Sequence, residues 1–208
     1  MMMKTLALAA CVGFAFAPHE LPDMAIGASA PATDVKMKDV SGKELDLKSA
    51  NGKNGLLVVF SCNTCPFVIG GEGSQGWEGR YPALAELAAK NGIGFTMINS
   101  NTTKRDGGDG FADMQARYKE KGLKGYYLLD DNNKVADAFG ARTTPHVFLF
   151  NKDLKLVYKG AIDDNVEDPK AVKAHYVNDA IAALAAGKPI DPATTRNIGC
   201  SIKRAHVH

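Results

Sequence analysis

The sequence predicts an α/β domain with a central mixed β-sheet flanked by helices and an N-terminal β-hairpin extension. Three observations predict it. Leu56-Leu57-Val58-Val59-Phe60 is short, β-rich and apolar throughout, as a central strand covered on both faces requires. Ile93–Asn99 repeats that character after a helical segment. Val147-Phe148-Leu149-Phe150 and Leu154–Lys159 then flank the turn Asn151-Lys152-Asp153, the pattern of an antiparallel hairpin. The order β-α-β-α-β-α-β-β-α implies parallel and antiparallel pairing within one sheet.

The elements follow in order. Val35–Val40 alternates like a strand, Ser41-Gly42 is a turn, and Glu44–Leu47 alternates again. Asn51-Gly52 breaks the chain before the first apolar run. The helix after that run is short or interrupted, because Gly70, Gly71, Gly73, Gly76 and Gly79 fall in and after it. Helical character resumes at Tyr81-Pro82, with proline tolerated in the first turn, and Asn91-Gly92 stops it. After the polar loop Ser100–Asp109, Phe111, Met114 and Tyr118 recur at helical spacing. Tyr126–Leu129 is a strand, and Lys134–Phe139 a helix closed by Gly140. Asp168-Pro169 is expected to cap a last helix carrying Val172, Tyr176, Ala180 and Leu184 on one face and ending at Gly187.

With 208 residues and 45% apolar content, the chain suits one domain with a core of its own. A formal charge of +2 gives no basis for a nucleic acid or an anionic membrane as partner. Lys203-Arg204 reads as solvated surface. Residues 1–17 carry a basic start (Lys4), an apolar stretch and the small-x-small end Ala15-Phe16-Ala17, the pattern of a signal peptide too short to span a bilayer. Leu8-Ala9-Ala10-Cys11 also resembles a lipoprotein processing site. Export to the periplasm or cell envelope is the expectation; an uncleaved tail or a displaced start codon is the competing reading. The organisation expected is a signal peptide at 1–17, an irregular lead-in at 18–34, the folded domain at 35–187 and a C-terminal tail at 188–208. Of four cysteines, Cys62, Cys65 and Cys200 lie beyond the signal, an odd number that argues against a purely structural disulfide framework.

Cys62-Asn63-Thr64-Cys65 directly follows the apolar strand, where a helix would begin. The free N–H groups and dipole of a helix start stabilise a thiolate, the reactive form of cysteine. A free thiol titrates near ~8.5, and such settings lower it to about 3.5–7.5. Reduction of a disulfide needs one acidic thiol to attack and a second to resolve the mixed disulfide. Cys62, facing outward, is the expected nucleophile and Cys65, below it, the resolving thiol. The rival structural readings fit poorly. A four-cysteine zinc site needs another close pair, and only Cys200 is left; covalent haem attachment needs His where Pro66 stands.

The strand, the Cys-x-x-Cys and its helix, the later Arg142-Thr143-Thr144-Pro145-His146 before a strand, and the closing hairpin plus helix together resemble the thioredoxin-like superfamily. The chain looks closest to its redoxin branch, the alkyl hydroperoxide reductase/thiol-specific antioxidant type and exported thiol–disulfide reductases, over about residues 27–203. Cys62–Val68 and the tail Gly199-Cys200-Ser201-Ile202-Lys203 resemble a subgroup of redoxin-domain proteins. The resemblance implies a thioredoxin-like fold and a cis bond at Thr144-Pro145. It further implies that this loop faces the cysteines and offers backbone groups to an extended substrate, so Thr144 and Pro145 are the substrate-binding candidates. Dithiol–disulfide exchange at this motif calls for protein disulfide or dithiol substrates and a redox-recycling partner, and the residues suggest no organic cofactor and no resident metal. Lys104–Gly110 lacks the Lys-Ser/Thr ending of a phosphate-binding loop.

The sequence departs from thioredoxins in three ways. Ser61 stands where they usually place Trp, no acid lies in Leu56–Phe60, and the glycine-rich stretch suggests a wider, more mobile site around Trp77. Glu72, Asp163 and Asp164 are candidate replacement acids that otherwise read as solvated. Peroxidase activity is the main alternative, yet the pattern P-x-x-x-T-x-x-C is not met. Val59 and Cys62 stand three places before the two cysteines, and no Pro stands seven before either. Cys200 reads equally as a third redox thiol or as a small packed side chain. A last alternative, a Cu(I) or Zn(II) carrier, would use Cys62, Cys65, Cys200 and one of His146, His206 or His208.

Overall fold

Alternation and tight turns shape the first elements. In the computed structural model, which describes residues 21–205, Met37–Asp39 (β1) and Glu44–Leu45 (β2) form the expected hairpin. The second arm is shorter than its alternation suggested. Asp46 caps a one-turn helix, Leu47–Ala50 (α1), through a reciprocal box in which its carboxylate accepts from the Ser49 amide and the Ser49 hydroxyl accepts from its own amide. Leu47, expected in a strand, is therefore a buried helix residue.

Gly55–Ser61 (β3) is buried along its whole length, as an uninterrupted apolar run predicts. Pro66–Ile69 (α2) is short and Tyr81–Lys90 (α3) is regular, with Pro82 in its first turn. Ile93–Asn99 (β4), Phe111–Glu120 (α4), Tyr126–Leu129 (β5) and Lys134–Phe139 (α5) follow at the expected positions. Gly140 ends α5 in the left-handed region, where a Cβ is disfavoured. Thr143–Thr144 (β6), His146–Asn151 (β7) and Leu156–Gly160 (β8) come next. The last helix, Tyr176–Ala185 (α6), starts later than expected. Asp168 caps only a turn of 3₁₀ helix at Pro169–Ala171, and Val172 lies outside α6.

The main sheet has the order β2-β1-β5-β4-β3-β7-β8. Strands β3, β4 and β5 are parallel, while β1, β7 and β8 add antiparallel pairs at the two sides. A second, two-stranded sheet pairs β6 with Cys200–Ser201 (β9).

Alternation along β3 divides the core. Leu57 and Val59 face Tyr81, Leu84, Met114 and Ile181 of the helices α3, α4 and α6. Leu56, Val58 and Phe60 face α1 and α5 on the other side. There Phe139 packs edge-on against Phe60, Phe148 and Phe150, with ring centres 5.3, 5.4 and 5.7 Å away. Both cysteines of the motif belong to the first layer. The lead-in also pairs with the domain: the Gly27 and Ala30 amides donate to the Leu156 and Leu154 carbonyls. Among the described residues no helix is long and apolar enough to cross a membrane; the export pattern at 1–17 lies outside them.

Phe139→Ala is expected to lower unfolding stability by about 3–5 kcal/mol, measured by denaturant titration, because a cavity opens among three rings that cannot follow it.

Candidate functional site

Strand β3 ends at Ser61, so Cys62 emerges at the carboxyl end of the central strands, and Cys65 occupies the N-cap position of α2. Four residues of helix provide little dipole. The expectation that a helix start makes Cys62 the exposed, acidic thiol is corrected on both points. Cys62 is 1% and Cys65 3% exposed, and the charge distribution is set by hydrogen bonds instead.

Thr144 joins the two sulfurs. Its hydroxyl lies 3.2 Å from Cys62 Sγ, and its carbonyl oxygen lies 3.2 Å from Cys65 Sγ. The bond between Thr144 and Pro145 is cis, and the loop carrying it faces the cysteines, in agreement with the expectation. The tail brings the third thiol to the same place, since β9 pairs antiparallel with β6 and sets Cys200 opposite Thr144. Among the described residues the three cysteines are free, with Cys200 half-buried.

Hydrogen bonding makes Cys65 the more acidic sulfur of the pair. A hydrogen bond from the Cys62 thiol, with further donors from the Cys200 thiol and amide and from Thr144, lowers Cys65 to about 5, against the pull of burial. The Thr144 carbonyl opposes this, because it accepts from a protonated thiol, but the donors outnumber it. Cys62 is pushed up by its bond to Cys65, by burial and by the negative charge of Asp109, with the Thr144 hydroxyl acting in the other direction.

Asp109 is the residue that sequence reasoning missed. It is fully buried, and its Oδ1 accepts from the Asn63 amide at 2.6 Å and from Asn99 Nδ2 at 2.8 Å. Its Oδ2 accepts from Thr64 Oγ1 at 2.7 Å and from Asn101 Nδ2 at 3.0 Å. The two residues between the cysteines thus hang from one carboxylate. Asn63 is further held by the Gly108 carbonyl and the Tyr127 hydroxyl. Arg105 braces this floor, donating to the carbonyls of Asn99, Asp109 and Asp130. In sequence, Asp109 sits in a polar loop; only its tertiary donors distinguish it from a solvated acid.

Three other expectations change. Asp163 is not solvated: it is 5% exposed, accepts from Trp77 Nε1 at 2.8 Å and pairs with Arg80 at 3.0 Å. Trp77 is correspondingly a core residue rather than the wall of a mobile site. The glycines serve a close fold-back, since a Cβ on Gly76 would overlap the backbone of Gly70 and Val68. Lys203-Arg204 is not free surface either: Arg204 Nε reaches Asp137 at 2.7 Å and the Lys203 amide donates to Asn101 Oδ1 at 2.9 Å. Ser61, in the position usually taken by Trp, hydrogen-bonds the buried Tyr81 hydroxyl at 3.0 Å.

His146 packs on Phe148 on the opposite face of the sheet, and its Nδ1 accepts from the Arg142 amide. Burial and the charges of Lys159 and Arg142 push it down to about 3, so the ring is neutral. Among the described residues no group of three or more His, Cys, Asp and Glu is arranged to hold a metal ion, and His206 and His208 lie outside them.

The redoxin family model matches residues 25–175. The chain belongs to the redoxin family. Among solved structures, this redoxin is similar to an uncharacterized conserved protein from Geobacillus kaustophilus. The two share 29% identity with a TM-score of 0.80, covering 91% of this chain and 97% of the other. It is also similar to a hypothetical protein from Sinorhizobium meliloti 1021, at 28% identity and a TM-score of 0.79, covering 90% and 98%. Peroxidoxin BcpB from Mycobacterium tuberculosis shares the fold at 15% identity and a TM-score of 0.56, over 79% of this chain and 98% of the other. A search of the curated proteins finds no match. Family and fold make the chain a thiol-based redox protein of the thioredoxin-like superfamily.

Two outcomes are expected. Thiolate absorbance near 240 nm is expected to show a first step centred near pH 5 that vanishes in Cys65→Ser and moves to higher pH in Cys200→Ser, which loses a donor to Cys65. Asp109→Asn is expected to cost about 3 kcal/mol in denaturant unfolding, since an amide nitrogen replaces an acceptor that two buried donors share.

Proposed function

We propose that this redoxin is a thiol–disulfide oxidoreductase in which Cys62 attacks and Cys65 takes its proton and then resolves. The observation that carries the reading is that two free sulfurs meet one residue of the cis-proline loop: Thr144 lies 3.2 Å from each, its hydroxyl against Cys62 and its carbonyl against Cys65. As Cys62 attacks a substrate disulfide, its proton passes to Cys65. One substrate thiolate leaves and a mixed disulfide forms through Cys62. Loss of the proton from Cys65 lets it attack Cys62 Sγ, which closes the Cys62–Cys65 disulfide and releases the second substrate thiol. Two electrons have moved from the pair to the substrate. Thr144 and Pro145 border the sulfurs on the substrate side. A recycling dithiol restores the pair, and the leader-like residues 1–17 support action in the cell envelope.

Thiol peroxidase activity is the second reading, and it draws on the Thr144 hydroxyl at 3.2 Å from Cys62 Sγ together with the burial of both sulfurs, which suits a small substrate. In that reaction Cys62 thiolate displaces the outer alcohol or water from a peroxide and becomes a sulfenic acid. Cys65 condenses with it to the same disulfide, and water leaves.

Cys62→Ser and Cys65→Ser are each expected to reduce turnover of an insulin-type disulfide at least ~100-fold, with Cys65→Ser accumulating mixed disulfide at Cys62. Mixed disulfide at neither cysteine would remove the exchange reading. Peroxide consumption by Cys65→Ser, with sulfenic acid trapped on Cys62, would establish the second one.

A further inference from the structure

The exposed backbone of β6, beside the two sulfurs, is not free. Strand β9 lies along it with Thr143 opposite Ser201 and Thr144 opposite Cys200. The tail is fastened on both sides of this contact. Before it, Asn197 Nδ2 donates to Thr143 Oγ1 at 2.8 Å. After it, the Ile202 amide donates to the Arg142 carbonyl at 3.1 Å and the Thr103 amide to the Lys203 carbonyl at 3.1 Å. Gly199 rests on the Thr144 carbonyl so closely that a Cβ would overlap it. This is the geometry of strand addition, in which main-chain pairing gives hold and register selects the side chain presented. The register presents a cysteine.

Cys200 is placed against one partner in particular. The register sets it opposite Thr144, whose carbonyl Cys65 Sγ meets at 3.2 Å, and the two thiols are near enough for each to shift the acidity of the other. It is also the most exposed of the three sulfurs. The buried pair is therefore continued toward the surface by a third thiol on a different segment.

We propose that the C-terminal strand is a tethered substrate, and that Cys200 attacks Cys65 of the Cys62–Cys65 disulfide and carries the oxidised state out to the tail, where an external protein dithiol removes it. This rests on the exchange reading above. The Cys62–Cys65 bond breaks, the Cys65–Cys200 bond forms, and the proton of Cys200 ends on Cys62. No electrons enter or leave in that step. The external dithiol then attacks Cys200 and resolves its own mixed disulfide, so it is oxidised as Cys65 and Cys200 are reduced. The charges favour this order. In the reduced protein Cys200 is pushed up to about 11, by burial and by the negative Cys65 beside it. Once Cys65 is in a disulfide that negative neighbour is gone, so Cys200 becomes easier to ionise when it is needed.

The test oxidises the full chain with diamide and maps its disulfides without reduction. Cys62→Ser, which retains Cys65 and Cys200, is expected to join those two quantitatively. Cys200→Ser is expected to form the Cys62–Cys65 disulfide but to be reduced by thioredoxin about tenfold more slowly than the unsubstituted protein. Gly199→Val keeps every sulfur while lifting the strand from Thr144, and is expected to slow the same reduction with an unchanged far-UV spectrum. Free Cys65 and Cys200 thiols in oxidised Cys62→Ser, or reduction of Cys200→Ser at the unsubstituted rate, would overturn the relay and leave the exchange reading standing. If neither the unsubstituted chain nor Cys200→Ser forms a Cys62–Cys65 disulfide, the exchange reading itself fails.

Discussion

The contacts of Thr144 are the constraint on which the site depends. Through its hydroxyl it meets Cys62, through its carbonyl Cys65, and through its strand pairing Cys200. Three stretches far apart in sequence are thereby held to a common point, and none of the three sulfurs is positioned by its own segment alone. Thr144 is 1% exposed, so its polar atoms have no water to turn to and must find these partners. Its hydroxyl can donate to Cys62 or accept from it, while its carbonyl only accepts, from Cys65.

Beneath this point lies a polar floor instead of an apolar one. Thioredoxins usually keep a buried acid on the strand preceding the motif, and here that strand is wholly apolar. The carboxylate comes from the loop after β4, through Asp109, and reaches the Asn63 amide and the Thr64 hydroxyl from the side. Its negative charge disfavours ionisation of Cys62 while the donors around Cys65 favour ionisation there. The loop that carries Asp109 is itself tied to the ends of β4 and β5 by Arg105, a cation whose burial is compensated by carbonyl acceptors. The fold therefore adjusts thiol acidity with a loop, leaving the central strand to packing.

Much of this was legible in the sequence. The runs Leu56–Phe60 and Ile93–Asn99, Asn91-Gly92 and Gly140 located their elements because burial on both faces and the left-handed region leave little choice of residue. The thiol motif and Thr144-Pro145 were legible as motifs and came together in space. Leu47 was misplaced because alternation over four residues fits a strand arm as well as a capped turn, and the Asp46–Ser49 box settled it. The start of α6 moved because Pro169 can open a 3₁₀ turn as readily as a helix. Asp109, Asp163 and Arg204 were misread for one shared reason. A charged side chain is buried or solvated according to donors and acceptors supplied from elsewhere in the chain, and no local pattern encodes them. The strand at Cys200 was invisible for the same reason, being two residues long and defined only by its partner.

The outer rim of the sheet gives the tail a second consequence. Strand β8 would be an open border, with unpaired backbone groups inviting association with another copy. The lead-in covers its start, where Gly27 and Ala28 bond with Leu156, and the tail covers its end, where Ala193 and Thr195 bond with Lys159. The two extremities of the domain thus form a hem along one border. The tail is stitched there before Asn197 and Gly199 seat it on β6, so the same segment that closes the border to self-association also delivers Cys200 to the other two sulfurs.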